Sequence, residues 1–367
     1  MKKTVVFFSV FIFLLSTITF AQSASFNITG KVIDAATKTP LQAASVFAQN
    51  TTIGTATDAA GAFSLWLNNG GYDLAISFTG YETYSKRIST ADAADKNIVI
   101  ELKQKEKALE EVAIKSSNEV KDGWVKYGDF FTENFIGKTP NSQQCVIKNR
   151  DALKFYFSKK RNRLKVLADV PVEIENPALG YTIKYALDSF VYDYGSSATF
   201  FTGYPLFEEM QTTDAAQSAA WHEARMKAYK GSILHFMRSV YNQNLKEAGF
   251  EIQFLVKNNS QDTAIHLANF YGALNFNKDD STTIVEISPN QPEVAVLYTK
   301  EEPAPAYLQQ YQDAPKKYEL SVITITPSQN IAIEQNGFYY DQNDLIATGY
   351  WAWEKAGDML PYDFKPD

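Results

Sequence analysis

Two acidic side chains, Glu173 and Glu175, stand two residues apart in a stretch whose composition predicts a β-strand. Alternate residues of a strand point to the same face, so their carboxyl groups are expected roughly 7 Å apart on one side of it. That separation is within the range that glycoside hydrolases use, and a hydrolase acting through these carboxylates is one hypothesis. We favour the alternative that both are surface residues of a strand ending at Asn176.

Two arginines, Arg161 and Arg163, belong to the basic run SKKRNRLK, which lies between strand-like segments and is predicted to form a hairpin tip. We interpret the run as a solvated loop whose charges keep the sheet edge soluble. The alternative is contact of both guanidinium groups with phosphate groups of an outer-membrane surface or with an anionic glycan. Trp351 and Trp353 could stack on sugar rings, although we expect them in the core of a β-rich domain.

The sequence carries no complete catalytic or metal-binding motif. Its three histidines, none followed three residues later by the carboxylate of a zinc carboxypeptidase, are His222, His235 and His266. In HEARM a methionine, Met226, stands where a helical zinc motif needs its second histidine. Cys145 lies in an apolar segment and is expected to be buried and unreactive. We therefore predict no catalytic residue, no bound metal and no cofactor.

The charge balance and the amino terminus limit the classes of function. With 35 basic against 42 acidic residues, the chain lacks the cationic surface that nucleic-acid binding requires. Residues 1–21 carry two lysines, an apolar run and a small residue at Ala21, which predicts a signal peptide cleaved there. The apolar run is shorter than the about 20 residues of a transmembrane helix. We therefore expect an exported protein without a transmembrane helix, and its single cysteine allows no internal disulfide.

Residues 25–103 show the pattern of an all-β sandwich. Phe63, Leu65 and Leu67 alternate with smaller or polar residues, and the same alternation recurs after NNGG in the segment YDLAISF. We interpret these two segments as neighbouring strands of one sheet joined by a tight turn. A second turn is predicted at TDAAG, where Asp58 accepts hydrogen bonds from following amides. With its flanking segments the region contains about seven short strands, which is typical of a sandwich.

The segments GKVIDAATKTPLQAASVFAQN and GTATDAAGAFSL, followed by YDLAISFTGYET, resemble the carboxypeptidase regulatory-like domain. This family has a transthyretin-type, immunoglobulin-like sandwich and is common in exported proteins of Bacteroidetes, including zinc peptidases and TonB-dependent receptors. The histidine pattern argues against a peptidase, and the roughly 245 residues that follow are too few for a plug and large barrel. The resemblance therefore implies a fold and a compartment, and no activity.

A charged, sparsely apolar stretch, residues 104–122, is predicted to be an exposed linker to a larger α+β domain, residues 123–367. Within that domain Asp214 is expected to cap one helix, and Ser232 to cap a second that ends at Gly249. The layout, including IGKTPNSQQCVIKN and WEKAGDMLPYDFKP, resembles an exported Bacteroidetes family that couples the sandwich to a domain of unknown function.

These observations favour a non-catalytic exported protein of the cell envelope that binds a partner protein or a glycan, in the periplasm or at the outer membrane. Two alternatives stay open: a hydrolase acting on an envelope or dietary polymer through carboxylates, and a small outer-membrane barrel. A cleft with converging carboxylates in residues 123–367 would favour the enzyme. A flat aromatic or charged patch would favour binding.

Overall fold

The structure is a computed structural model, and it describes residues 25–90, 97–105, 118–258, 261–326, 329–340 and 345–366. The predicted signal peptide and most of the predicted linker lie outside these residues. Among the helices that the structure describes, none is both long and apolar enough to span a bilayer.

The amino-terminal part folds as two facing sheets, which confirms the predicted sandwich. Its strands are β1 (Ser25–Asp34), β2 (Ser45–Ala48), β3 (Gly54–Ala56), β4 (Ala62–Asn68), β5 (Gly71–Ser77), β6 (Tyr84–Ser89) and β7 (Ile98–Leu102). One sheet has the order β4-β1-β7 and the other β3-β2-β5-β6. The alternating apolar side chains of both sheets meet in one core, in which Val32, Leu74 and Ile76 are fully buried.

The prediction that β4 and β5 are neighbours in one sheet is wrong. β4 pairs with β1, whereas β5 pairs with β2 and β6, so the turn between them crosses from one sheet to the other. At this crossing Gly70 has a φ of 145°, and an added Cβ would lie 2.5 Å from Cγ of Asn336 in the following region. The Asp58 turn has its expected hydrogen bonds, to the amides of Ala60 and Ala62 at 2.8 Å, but also joins different sheets.

The α+β region begins with helix α1 (Gly123–Phe135), which packs on a six-stranded antiparallel sheet. The strands are β8 (Val146–Ile147), β9 (Leu153–Ser158), β10 (Arg163–Ala168), β11 (Val172–Asn176), β12 (Tyr181–Asp193) and β13 (Ala198–Glu209). Strand β12 is the longest and pairs with β10, β11 and β13. The fully buried rings of Phe131 and Phe135 hold α1 against this sheet, because each lies edge-on to Phe190.

The remaining helices are α2 (Ala215–Tyr229), α3 (Ile233–Tyr241), α4 (Leu245–Ala248), α5 (Phe270–Ala273), α6 (Pro305–Gln310) and α7 (Tyr350–Trp353). Both predicted caps are confirmed: the Asp214 side chain accepts from the amide of Ala216, and Ser232 accepts from that of His235. The prediction of one helix from Ser232 to Gly249 is wrong. Gln243 adopts a φ of 54°, which interrupts the helix and separates α3 from α4.

Two further sheets complete the region. A five-stranded sheet of order β15-β14-β18-β19-β21 and a three-stranded sheet of order β16-β17-β20 enclose a second core with α3. The strands are β14 (Phe250–Asn258), β15 (Gln261–His266), β16 (Asn277–Lys278), β17 (Val285–Ile287), β18 (Glu293–Tyr298), β19 (Glu319–Ile325), β20 (Ile331–Ile333) and β21 (Leu345–Gly349). The grouping of strands around helices confirms the predicted α+β class.

The sandwich docks directly on the α+β region through the loop after β2. Thr51 forms a parallel bridge with Leu206 of β13, and the amide of Asn50 donates to the carbonyl of Pro205 at 2.7 Å. On the other side of the loop, the amide of Tyr362 donates to the carbonyl of Asn50 at 2.7 Å. The loop is therefore held between a strand and the carboxyl-terminal segment, which fixes the sandwich as one wall of the space between them.

Candidate functional site

A cavity of about 550 Å³ lies where the sandwich, the six-stranded sheet, helices α2 and α3 and the carboxyl-terminal segment meet. The sandwich contributes Gln49, Asn50, Asp73 and Arg87, and the carboxyl-terminal segment contributes Glu354, Lys355 and Asp358. The cavity thus combines ionisable groups from parts of the chain that are about 300 residues apart.

Asp358 is a structural carboxylate of the cavity wall. It accepts hydrogen bonds from Thr139 Oγ1 at 2.7 Å and from Asn141 Nδ2 at 2.9 Å, and Ser142 Oγ lies 3.4 Å away. Burial raises the pKa of Asp358, and these donors oppose that shift. The amide of Gly357 also donates to the carbonyl of Ile136 at 2.8 Å, so this turn is fixed to the end of α1.

Lys355 is the positively charged residue of the same wall, and its ammonium group already has a hydrogen-bond partner within the protein. Its Nζ donates to the carbonyl oxygen of Asn134 at 2.9 Å, in the last turn of α1, where the helix dipole favours a positive charge. Burial lowers the pKa of Lys355, and Lys138 lowers it further. The ammonium therefore stabilises the end of a helix.

Glu354 differs from its two neighbours because no described residue donates a hydrogen bond to its carboxyl group. Burial raises the pKa of Glu354 well above the usual value, and the nearby carboxyls of Asp358 and Glu319 raise it further. The raised pKa favours the protonated form, in which a carboxyl group lining the cavity can both donate and accept a hydrogen bond.

Asn50 presents a second unmatched group from the sandwich side of the cavity. Its Nδ2 donates to the carbonyl of Leu360 at 3.3 Å, whereas its Oδ1 is buried without a donor among the described residues. A buried acceptor without a donor costs roughly 1–3 kcal/mol. Because this oxygen is covered by protein atoms, a ligand in the cavity does not reach it, and the carboxyl group of Glu354 is the unmatched group that a hydroxylated ligand can contact.

The other charges of the sandwich wall are paired. The guanidinium carbon of Arg87 lies 4.4 Å from the centre of the Tyr340 ring, and its Nε is 3.8 Å from Asp73 Oδ1. The Gln49 side-chain amide donates to the carbonyl of Gly203 at 3.4 Å. These contacts orient the sandwich wall. On the carboxyl-terminal side of the cavity, Glu354 is the acidic residue whose carboxyl group has no hydrogen-bond donor among the described residues.

The two glutamates singled out in the sequence do not reach this cavity. Glu173 and Glu175 lie on one solvent-facing side of β11, where Glu175 Oε2 is 3.0 Å from Lys148 Nζ and Glu173 faces Lys184 across the β11–β12 register. Their spacing is as expected for a strand, but oppositely charged neighbours surround them. The arrangement is that of a charged surface sheet.

The two arginines and two tryptophans lie in different environments. Arg161 and Arg163 lie at the β9–β10 hairpin, as predicted, and Arg163 Nε donates to Asp193 Oδ2 at 2.6 Å. Trp351 and Trp353 are 8% and 6% exposed, in agreement with the predicted core position. Trp351 also lines the cavity, with its Nε1 donating to the carbonyl of Gly231 at 2.7 Å.

The three histidines lie apart, and the described residues contain no group of three potential metal ligands. His235 Nδ1 accepts from the amide of Gly231 at 3.2 Å, and burial lowers the pKa of His235 to about 4. His222 is exposed on α2, and His266 Nδ1 lies 3.0 Å from Glu251 Oε1. His235 is therefore a neutral side chain at the start of α3.

Cys145 is expected to react slowly with thiol reagents in the folded protein. The thiol is half-buried, whereas the sequence predicts full burial, and desolvation together with the charge of Asp358 raises its pKa to about 12. Since the thiolate is the reactive form, modification at pH 8 by 5,5′-dithiobis(2-nitrobenzoic acid) should be at least tenfold slower than in guanidinium chloride. Immediate reaction of the native protein would show that the thiol is accessible and ionised.

The residues that line the cavity could not be selected from local sequence. Glu354, Lys355 and Asp358 occur in WEKAGDML, whose only local signal is the spacing of two acids by four residues. That spacing is common on surface helices. The position of Asn50 opposite them depends on how the sandwich docks, which no short motif encodes.

Comparison with known proteins identifies the sandwich alone. Residues 28–114 match the family model of the CarboxypepD_reg-like domain, which confirms the predicted resemblance for this part. This is a regulatory immunoglobulin-like domain, and the match includes no enzymatic family. No curated protein matches the chain.

Three solved structures show weak similarity, each with a TM-score of 0.17. A 9R-lipoxygenase from Cyanothece PCC8801 is 10% identical and aligns over 59% of this chain and 48% of its own, so this chain spans about half its length. A protein of unknown function from Bacteroides fragilis, described as putatively membrane-associated, is 11% identical and aligns over 84% of this chain and 94% of its own. BcpA, the major pilin subunit of Bacillus cereus, is 10% identical and aligns over 84% of this chain and 95% of its own. Scores this low support no statement about fold or function.

Proposed function

We propose that this chain is a non-catalytic, exported protein of the cell envelope that binds a small saccharide, free or at the end of a glycan, in the interdomain cavity. The observation that carries the proposal is the carboxyl group of Glu354, which lines the cavity and accepts no hydrogen bond from a described residue. The regulatory-like sandwich, a family typical of extracellular proteins, supports export to the periplasm or outer membrane.

The size and lining of the cavity suit such a ligand. Its volume of about 550 Å³ falls within the roughly 300–1,000 Å³ range of small-molecule sites. Sugar hydroxyls both donate and accept hydrogen bonds, so they can pair with the carboxyl group of Glu354 in either of its protonation states. Aromatic side chains in the wall, Phe201, Tyr339 and Trp351, provide apolar surface for the ring face of a sugar.

Replacing Glu354 tests this proposal. A panel of mono- and disaccharides should raise the melting temperature of the protein and give saturation-transfer NMR signals. We expect Glu354→Leu to weaken the affinity for the best saccharide at least tenfold, because a hydroxyl group of the sugar then faces the methyl groups of leucine. Glu354→Gln should retain binding within about threefold, since the amide also donates and accepts.

An exposed acid outside the cavity serves as the control. Glu302→Leu removes a carboxylate that does not line the cavity, and it should leave saccharide binding unchanged. Absence of any saccharide effect on the wild-type protein, or equal binding by Glu354→Leu, would contradict the proposal.

A hydrolase is the second candidate, and the raised pKa of Glu354 is the observation that favours it. A carboxyl group whose pKa is raised by burial at the wall of a cavity is what a general acid needs. Glycoside hydrolysis also needs a second carboxylate. Asp358 is fixed by three side-chain donors, whereas Asp188 of β12 lines the same cavity and accepts no hydrogen bond from a described residue. Release of reducing ends by the purified protein, lost in Glu354→Gln while saccharide binding persists, would establish the hydrolase instead.

A further inference from the structure

A second surface, separate from the cavity, combines aromatic rings with unpaired cations. Five half-buried rings of α1, β9 and the end of β12 form it; we call them the aromatic platform, and they are Tyr127, Phe130, Phe157, Tyr192 and Tyr194. The basic tip, Lys159 to Arg161, begins two residues after Phe157 along the chain.

The rings of the aromatic platform contact one another in a continuous layer. Tyr127 stacks on Phe157 with centroids 6.2 Å apart and planes inclined by 14°, and Phe130 stacks on Tyr194 at 5.7 Å and 15°. Phe157 and Tyr192 each meet Tyr194 edge-on, at 6.0 Å and 4.7 Å. No described residue hydrogen-bonds to the three tyrosine hydroxyls. The layer therefore presents ring surface and free hydroxyls together.

The basic tip is held beside this layer by the backbone. The amide of Tyr194 donates to the carbonyl of Asn162 at 3.0 Å, which joins the hairpin turn to the end of β12. Lys126 of α1 adds a fourth cation, with Nζ 5.5 Å from the centre of the Tyr127 ring. The tip and the platform thus form one surface.

Of the cations on or beside the strands of this sheet, Lys165 of β10 is also exposed without an acidic partner among the described residues. The others, Lys148, Lys154, Arg163 and Lys184, each pair with a carboxylate. By contrast, the side chains of Lys159, Lys160 and Arg161 are exposed and have no acidic partner in the part of the chain that the structure describes. In a chain of net charge −7 these residues form a local cationic site.

We propose that the aromatic platform and the basic tip together bind an anionic polysaccharide, a sugar chain that carries carboxylate or sulfate groups. The exposed parts of these rings match the apolar faces of sugar rings, and the adjacent ammonium and guanidinium groups match their anionic substituents. This surface is distinct from the cavity, since no residue of the aromatic platform or the basic tip lines the cavity. It would hold a polymer while the cavity receives a smaller group.

An anionic membrane fits the same surface less well. The rings are half-buried and packed on one another, so they do not project far enough to enter a bilayer interface. An acidic protein is also repelled by an extended anionic surface over about one Debye length, roughly 8–10 Å. A single polymer strand meets the tip without bringing its charge close to the remaining acidic surface.

Binding of charged and neutral polysaccharides tests the proposal. In affinity electrophoresis and calorimetry at 50 mM NaCl, the protein should bind polygalacturonate and dextran sulfate, and neutral dextran at least tenfold more weakly. The double variant Lys160→Glu/Arg161→Glu should weaken binding to both anionic polymers at least tenfold. Tyr194→Ala should weaken polygalacturonate binding about fivefold, because it removes one ring of the layer.

Matched controls separate this surface from general charge and from the cavity. Lys316→Glu/Lys317→Glu changes two exposed adjacent lysines elsewhere and should alter affinity less than twofold. Glu354→Leu should have no effect on polymer binding. An equal loss in the Lys316/Lys317 variant, unchanged affinity in a folded Tyr194→Ala protein, or binding only to phosphatidylglycerol vesicles would overturn the proposal.

Discussion

Glu319 alone is expected to lower the stability of the protein by about 1.5 kcal/mol between pH 6.5 and pH 8, and Glu319→Gln is expected to reduce that loss. Glu319 is 7% exposed at the start of β19, and burial raises its pKa to about 8, with a further contribution from Glu301. The side chain of Tyr350 and the charge of Lys227 oppose the shift without reversing it.

The sign follows from the proton that the folded state retains. Between the ordinary glutamate pKa of 4.5, which applies to the unfolded chain, and the folded pKa of about 8, Glu319 binds a proton in the folded state and releases it on unfolding, so stability falls as pH rises. His235 acts in the opposite direction, because its folded pKa of about 4 lies below the ordinary histidine value of 6.5. The two effects cancel between about pH 4.5 and 6.5, and above that range Glu319 dominates.

Urea unfolding at pH 6, 7 and 8 measures this prediction. Glu319→Gln should flatten the profile, and the double variant Glu319→Gln/Glu354→Gln should flatten it further, because the pKa of Glu354 is raised in the same direction. Glu302→Gln, a change at an exposed acid, should keep the wild-type profile. Parallel profiles for the wild-type and Glu319→Gln proteins would show that Glu319 is ionised in the folded state.

Local sequence patterns predicted helix ends correctly where a helix end depends on contacts between residues close together in the chain. The caps at Asp214 and Ser232 have the predicted hydrogen bonds because a cap is a contact between near neighbours. Helix α1 was not predicted, and Asp122 at its N-cap position is left-handed and makes no side-chain hydrogen bond. Its stability comes from Phe131 and Phe135 packing on the sheet, which is tertiary information.

The sequence did not predict which segments distant along the chain would pair or contact one another. Period-two alternation identifies a buried face in both β4 and β5, but it does not say which sheet each strand joins. For the same reason the spacing of Glu173 and Glu175 was predictable, whereas the salt bridge to Lys148 was not. The cavity needs Asn50 and Glu354 on facing walls, and only the docking of the sandwich brings them there.

That docking depends on a buried carboxylate, Glu334, which is 3% exposed beside β20. It accepts a hydrogen bond from Ser89 Oγ of the sandwich at 2.6 Å and another from the hydroxyl of Tyr340. Two residues along the chain, Asn336 Nδ2 donates to the carbonyl of Gly71 at 3.0 Å. The contact is polar and buried, so breaking it leaves buried polar groups without partners in both the sandwich and the α+β region.

Glu334→Ala is expected to destabilise the protein by about 3 kcal/mol, because Ser89 and Tyr340 lose a shared acceptor in a buried contact. Wild-type unfolding, followed by far-UV circular dichroism, should show one transition, since the sandwich and the α+β region share this interface. In Glu334→Ala the sandwich should separate at lower urea and become sensitive to protease before the rest. Glu208→Ala, which removes a surface partner of Lys184, should cost less than about 1 kcal/mol.

The same variant tests whether the sandwich acts as a wall of the cavity or only as an attached module. If docking positions Asn50 opposite Glu354, then Glu334→Ala should weaken saccharide binding although Glu334 does not line the cavity. Binding of anionic polysaccharide should be unchanged, because the aromatic platform belongs entirely to the α+β region. Retention of both activities in a protein whose sandwich has separated would mean that the α+β region alone forms the saccharide site.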